Sequence, residues 1–225
     1  MVDDESKLTV LRPSPSLKDQ AFQSIREAIL NGRLKPGILY KEQGIANELG
    51  ISKTPVREAL LDLASRGFVA FFPRKGFEII SLTAKNIRDL FELRLVLETA
   101  VVRHITADIS AESIKELEAI LTRDSQAVDN DDRTHILQTN RELHNYLAGL
   151  TGNEYLIRSL QNIQDLIEWL IAGTLRYRGR AGKAYSEHLN IFNQLKKRDV
   201  QGAVAAMTEH LSITQREILS GRRSI

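Results

Sequence analysis

Cysteine is absent from the 225 residues. That excludes disulfide staples, thiolate zinc sites and cysteine nucleophiles, and it fits a reducing compartment. No apolar run approaches the roughly 18 to 20 residues that span a bilayer, so no membrane partner is expected. The opening stretch, MVDDESKLTVLRPSPS, lacks the basic and apolar regions of a secretory signal. It reads as a mobile tail over 1–16 of a soluble, cytoplasmic protein. Net charge is small too: 31 basic against 29 acidic residues leave +2. What remains, 42% hydrophobic and 27% charged, is ordinary globular composition. It argues against a wholly disordered chain and suits one large domain or two modest ones.

The charge is uneven. Between 51 and 77 stand Lys53, Arg57, Arg66, Arg74 and Lys75 against only Glu58 and Asp62. A local positive stretch marks a candidate nucleic-acid face, although most such stretches are merely solvated surface. The surrounding pattern decides between the two. Leu17, Phe22, Ile25 and Ile29 follow helical spacing up to a stop at Asn31-Gly32. Leu34-Lys35-Pro36-Gly37 is a turn. A second helix spans about Lys41 to Leu49, with Gly50 after it. A third begins near Ser52 to Pro55, with hydroxyls before it and proline in its first turn. It runs to Gly67. Phe68–Phe72, a turn at Pro73–Gly76 and Phe77–Ile80 then form a short hairpin with a basic tip.

Three helices and a basic hairpin in so short a stretch describe a winged helix-turn-helix, with Gly50-Ile51-Ser52 as the turn. A recognition helix presents its N-terminal end to the major groove. Here that end carries Ser52, Lys53, Thr54 and Arg57. Hydroxyls and a helix N-terminus suit phosphate oxygens, and Arg57 can bond guanine in bidentate fashion. An ion pair with Asp62 is the plainer reading of Arg57.

The stretch LKPGILYKEQGIANELGISKTPVREALLDLASRGFVAFFPRKGFEI resembles the DNA-binding domain of the GntR family of bacterial transcription regulators. Its most specific piece is GISKTPVREAL, residues 50–60. The resemblance covers about 17–80 and implies that Ser52, Lys53, Thr54 and Arg57 lie on a double-stranded operator. It also implies that the wing glycine Gly76 approaches the minor groove beside Lys75. The family commonly has arginine where this chain has Gln43. Glutamine still reads adenine, so the departure bears on operator sequence.

From Thr83 onward no useful strand alternation appears, and after a linker at 81–83 the region 84–219 reads as an all-α bundle of six or seven helices, followed by a tail at 220–225. The expected fold is therefore mainly α: an N-terminal winged helix and a C-terminal helical domain. Thr83, Ser110 and Asn153 are candidate caps. The helix capped by Ser110 runs to about Val128; the polar stretch 124–133 (DSQAVDNDDR) reads as a loop, and the basic, glycine-rich stretch 176–183 as a loop or broken helix.

Polar residues on apolar stripes carry the functional signal. His144, His188 and His210 each lie on the buried stripe of a different helix, and Asn140 stands one turn before His144. Buried imidazoles need partners. Three that converge suit zinc or nickel, whereas each alone reads as a satisfied core residue. Arg94 lies on the stripe of Ile87, Leu90, Phe91, Leu97 and Val101, one turn before Glu98. A buried Arg–Glu pair is one reading; a fork onto an effector carboxylate is the other. Arg176, Tyr177 and Arg180 line the same pocket or a solvated loop.

This half is similar to the FCD ligand-binding domain of the FadR-like branch of the same family, through FELRLVLETAVV, NRELHNYLAGLTGN and EHLNIFNQLKKRDVQGAVAAMTEHL. Metal-binding members place an aspartate four residues before the first of three histidines. The matching positions are Asn140, His144, His188 and His210. An amide oxygen is a neutral, weaker ligand than a carboxylate. The resemblance implies an effector of organic-acid or sugar-acid type. The expected protein is a homodimeric, ligand-responsive regulator, by family habit a repressor. One rival is a metal-dependent hydrolase using the three histidines. It lacks a glutamate one turn from a ligand on the same face to serve as general base. The other is a DNA-binding protein whose α-domain is purely structural.

Overall fold

The computed structural model describes residues 15–175 and 179–221. The chain divides into two units, one ending at Ile80 and one beginning at Ser81. In the first, α1 (Leu17–Leu30) is followed by β1 (Leu39–Tyr40), α2 (Glu42–Leu49), α3 (Lys53–Ser65), β2 (Val69–Phe72) and β3 (Gly76–Ile79). The expected tail shortens where it is described. Ser16 caps α1 in a reciprocal box with Asp19, and the Pro15 carbonyl accepts from Gln20. Residues 1–14 lie outside the described residues.

α2 stops at Gly50, whose φ of 67° is the left-handed conformation that a glycine cap adopts without strain. The chain then re-enters α3 from an extended Ser52. Val56, Ala59, Leu60 and Leu63 of α3 are buried with Ile25 and Ile29 of α1 and Ile45 and Ala46 of α2. The sheet order is β1-β3-β2, antiparallel throughout, with Tyr40 opposite Phe77 and Phe71 opposite Phe77 from the other side. The two-residue β1 has no counterpart in the sequence reading. It is too short for an alternation signal.

The second unit comprises α4 (Ala84–Ile105), α5 (Ala111–Asp129), α6 (Arg133–Gly149), α7 (Glu154–Thr174), α8 (Arg180–Lys196) and α9 (Val200–Gly221). Thr83, Ser110, Asp132 and Asn153 each accept backbone N–H groups that open a helix. α4 packs on α6, α7 and α9, and α8 packs on α5 and α9. Val102, Leu117, Leu147, Ile191 and Met207, one from each of five helices, share a core. Each such side chain contributes about 1.5–3 kcal/mol of burial.

Three expectations need correction. The stretch 124–133 is a loop only at 130–132: α5 continues to Asp129, close to its expected end near Val128, because Leu117, Leu121, Asp124 and Ala127 keep one buried stripe. α8 begins at Arg180, inside the stretch 176–183 read as a loop or broken helix; Arg176 and Tyr177 lie outside the described residues. α9 passes the expected end at 219 and reaches Gly221. No helix among the described residues is long and apolar enough to cross a membrane.

Candidate nucleic-acid interface and metal centre

At the start of α3, Lys53 and Arg57 are one turn apart and more than half exposed. Both turn toward Glu42 on α2. Arg57 donates to Glu42 Oε1 at 3.3 Å, and Lys53 Nζ stands 3.0 Å from Oε2 as an ion pair without hydrogen-bond alignment. The alternative Arg57–Asp62 pair does not form; Asp62 pairs with Lys18 instead. Ser52 makes no side-chain cap bond. Gln43 bonds Asn47 at 2.9 Å. These residues and the wing enclose a concavity of about 640 Å³, whose lining includes Gln43, Lys53, Arg57, Arg74, Lys75 and Gly76.

Gly76 has a structural reason to be glycine. At φ 129°, a Cβ there would stand 2.0 Å from the Tyr40 carbonyl oxygen. β1 can approach the wing only because that atom is missing.

In the helical unit, His144 on α6, His188 on α8 and His210 on α9 meet. Their ring centroids are 4.8–5.7 Å apart, and one nitrogen from each lies within 4.8 Å of the others. All three are buried. Each Nδ1 faces a carboxylate: His144 faces Glu98, His188 faces Asp124 at 3.2 Å, and His210 faces Glu187 at 2.8 Å. An ionised carboxylate only accepts, so each Nδ1 carries a proton, and in a neutral ring Nε2 is then the atom with the lone pair. Nε2 of His188 and of His210 has no partner among the described residues. His144 Nε2 lies 3.1 Å from Arg94 Nη2.

The electrostatics favour the neutral form of His144 and of His210. Burial lowers the pKa of His144 from 6.5, against the pull of Glu98. Burial, and then the neighbouring His188 and His144, push His210 well below 6.5. Glu98 resists its own burial because Arg94 and His144 hold it at about 2. Burial raises Glu187, opposed by Arg180.

This donor set fits a divalent cation. It comprises three imidazoles, two with orphaned Nε2 atoms, each oriented by a carboxylate as metal-ligating histidines are. Asn140 lines a cavity of about 20 Å³ beside His188 and His210, together with Asp124, Arg180 and Thr214. That is room for one water. Arg94 is fully buried, bonded to Glu98 at 2.5 Å. Arg180 bonds Glu187 and Thr214.

Sequence reasoning missed Asp124 and the role of Glu187. Asp124 falls in register with Leu117 and Leu121, which was a usable signal. Glu187 follows no such stripe. It turns away from its neighbour His188 and serves His210 on α9.

Comparison with known proteins places these features. Residues 17–79 match the model of bacterial regulatory proteins, gntR family, and residues 89–212 match the FCD domain. The chain is 31% identical over 212 residues to the HTH-type transcriptional regulator YdhC of Bacillus subtilis, covering 93% of this chain and 92% of that one. It is 28% identical over 154 residues to the gluconate operon transcriptional repressor of the same species, covering 68% and 63%. The solved structure of Escherichia coli McbR/YncC superposes with a TM-score of 0.77 at 21% identity, covering 91% of this chain and 98% of that one. With both halves matched in order along nearly its whole length, the chain belongs to the GntR family of bacterial regulatory proteins that carry an FCD domain, and it is a ligand-responsive, DNA-binding transcription regulator, not an enzyme.

Proposed function

We propose that the chain acts in the cytoplasm as a homodimeric repressor whose helical unit binds a small organic or sugar acid together with a divalent cation. The observation that carries this reading is the buried centre where three imidazoles, each held by a carboxylate, bring one ring nitrogen apiece within 4.8 Å of the others. His144, His188 and His210 would hold zinc or nickel, and Asn140 would add at most a neutral oxygen. When bound, the cation supplies positive charge on which a carboxylate can close. Arg94 would receive the same carboxylate through its guanidinium fork. A gluconate operon repressor among the relatives supports the sugar-acid class.

On the operator, Ser52, Lys53, Thr54 and Arg57 would meet the major groove and its phosphates, Gln43 would read a neighbouring base, and Lys75 and Gly76 would follow the minor groove. The dimer reading draws on α4, where Leu93 is 46% and Val96 61% exposed. An antiparallel copy centred on Val96 sets Asp89 opposite Arg103, seven residues to either side, so the surface is self-complementary.

The test starts with selection of bound sequences from a random DNA pool. Fluorescence anisotropy on the selected duplex should then show Arg57→Ala losing specific binding with its fold intact, and affinity falling steeply with salt. Thermal-shift titration with gluconate, with and without Zn²⁺ or Ni²⁺, should show stabilisation that depends on the metal. Normal operator binding by Arg57→Ala, or no metal taken up by the purified protein, would count against the respective half.

A further inference from the structure

Arg94 enters the imidazole centre from one side. Its Nε donates to Glu98 Oε1 at 2.5 Å, its Nη2 to His144 Nε2 at 3.1 Å, and its buried Nη1 has no partner among the described residues. Glu98 also takes the Nδ1–H of His144. One carboxylate therefore fixes both the ring and the guanidinium, and presses them together. An unprotonated imidazole nitrogen has a single in-plane lone pair. An N–H donor and a metal ion cannot both use it. Two of the three Nε2 atoms are free, and the third is occupied by the protein's own cation.

We infer that Arg94 is a built-in competitor for the metal: it caps His144 in the metal-free protein and must release it before the three imidazoles can serve one ion. This rests on the metal centre proposed above. Release changes Arg94 as well. Its Nη2 joins the already unpartnered Nη1, and the pair becomes a free fork matched to a carboxylate. Metal and acid then help one another. The arriving cation repels a guanidinium in a dry interior, and an acid that engages the freed fork keeps it from returning to His144. Such coupling is reciprocal by linkage. Either ligand alone meets a half-closed site.

The experiment compares metal-free wild type with Arg94→Met, each titrated with Co²⁺ and followed by its d–d absorption, with a competing chelator fixing Kd. Removing the guanidinium removes both a rival for the lone pair and a like charge, so the variant is expected to bind Co²⁺ about tenfold or more tightly. A merely supporting role predicts the opposite sign, a loss of about 10- to 100-fold typical of outer-shell partners. Equal or weaker binding by Arg94→Met overturns the inference.

Wild type gives a second reading that needs no variant to fold. The ¹⁵N side-chain signals of Arg94 should shift during Zn²⁺ titration as the bond to His144 breaks. Unchanged signals at saturating Zn²⁺ overturn the inference while leaving the metal centre standing. Metal uptake by neither protein removes the centre itself, and the competition with it. Uptake by the variant alone is the strongest support.

Discussion

Asp124 separates two contributions because its oxygens have different tasks. Oδ2 accepts the His188 Nδ1–H at 3.2 Å, and Oδ1 accepts the Thr139 hydroxyl at 2.7 Å. Asp124→Asn keeps the shape and one acceptor, and the Thr139 hydroxyl can rotate to accept from the new amide. Only the charge is lost. Hydrogen bonds to charged groups contribute about 1.5–3 kcal/mol against about 0.5–1.5 for neutral ones, so the metal-free fold should lose about 1 kcal/mol. In a unit of this size that lowers Tm by about 2–4 °C. The metal should be affected more. A less basic imidazole behind a lost outer-shell carboxylate costs about 10- to 100-fold in affinity. At saturating Zn²⁺ that removes about 1.4–2.7 kcal/mol of ligand stabilisation. The rise in Tm on adding metal should therefore shrink by about 3–10 °C relative to wild type. Asp124→Ala strips both acceptors: the Thr139 hydroxyl falls back on the His135 and Ile136 carbonyls, and the buried His188 N–H is left unpaired. It should cost about 1–3 kcal/mol even without metal. Scanning fluorimetry with and without Zn²⁺ reads all three proteins. An Asp124→Asn variant with the full metal-induced shift would refute the orienting role assigned to this carboxylate.

Three further outcomes are expected. In metal-free protein the buried His210 and His144 resist protonation that the unfolded chain accepts below 6.5. The unfolded state then binds more protons, so Tm should fall as pH drops below 6.5. Glu98, held at about 2, adds a second loss only below its ordinary value of 4.5. A flat Tm between pH 7 and 5 contradicts the first part. Gly76→Ala puts a carbon 2.0 Å from the Tyr40 carbonyl. It should displace β1 at a cost of about 2 kcal/mol or more, seen as lost amide protection at Tyr40 and Phe77 in hydrogen exchange; unchanged protection argues against it. Val96→Glu on the exposed face of α4 should raise the dissociation constant of the proposed dimer at least tenfold by analytical ultracentrifugation, and an unaltered dimer would move the interface elsewhere.

Legibility followed the length of the signal. The helices of both units announced themselves through repeated apolar stripes, and the three histidines stood out because each interrupts one. Asp124 was hidden by its company: in a run as polar as DSQAVDNDDR, one more acid gives no sign that it lies on the buried stripe of α5. Glu187 was hidden for a different reason. Sequence adjacency to His188 said nothing of the neighbouring helix, where His210 receives its carboxylate. The pairing of Arg94 with Glu98 was readable at one helical turn. Its second bond, to His144 fifty residues on, depends on the packing of α4 against α6.

Glu42 gives the reading head an unusual economy of charge. A cationic helix end would cling to any duplex, and a genome presents an immense excess of irrelevant sites. Here one nearly buried carboxylate already answers both Lys53 and Arg57, so in the operator contact proposed above, bare phosphate would merely exchange one anion for another. Only a groove that offered Arg57 a guanine edge would add something Glu42 lacks. An internal counter-ion of this kind would shorten the regulator's stay on the wrong sequence more than on the right one.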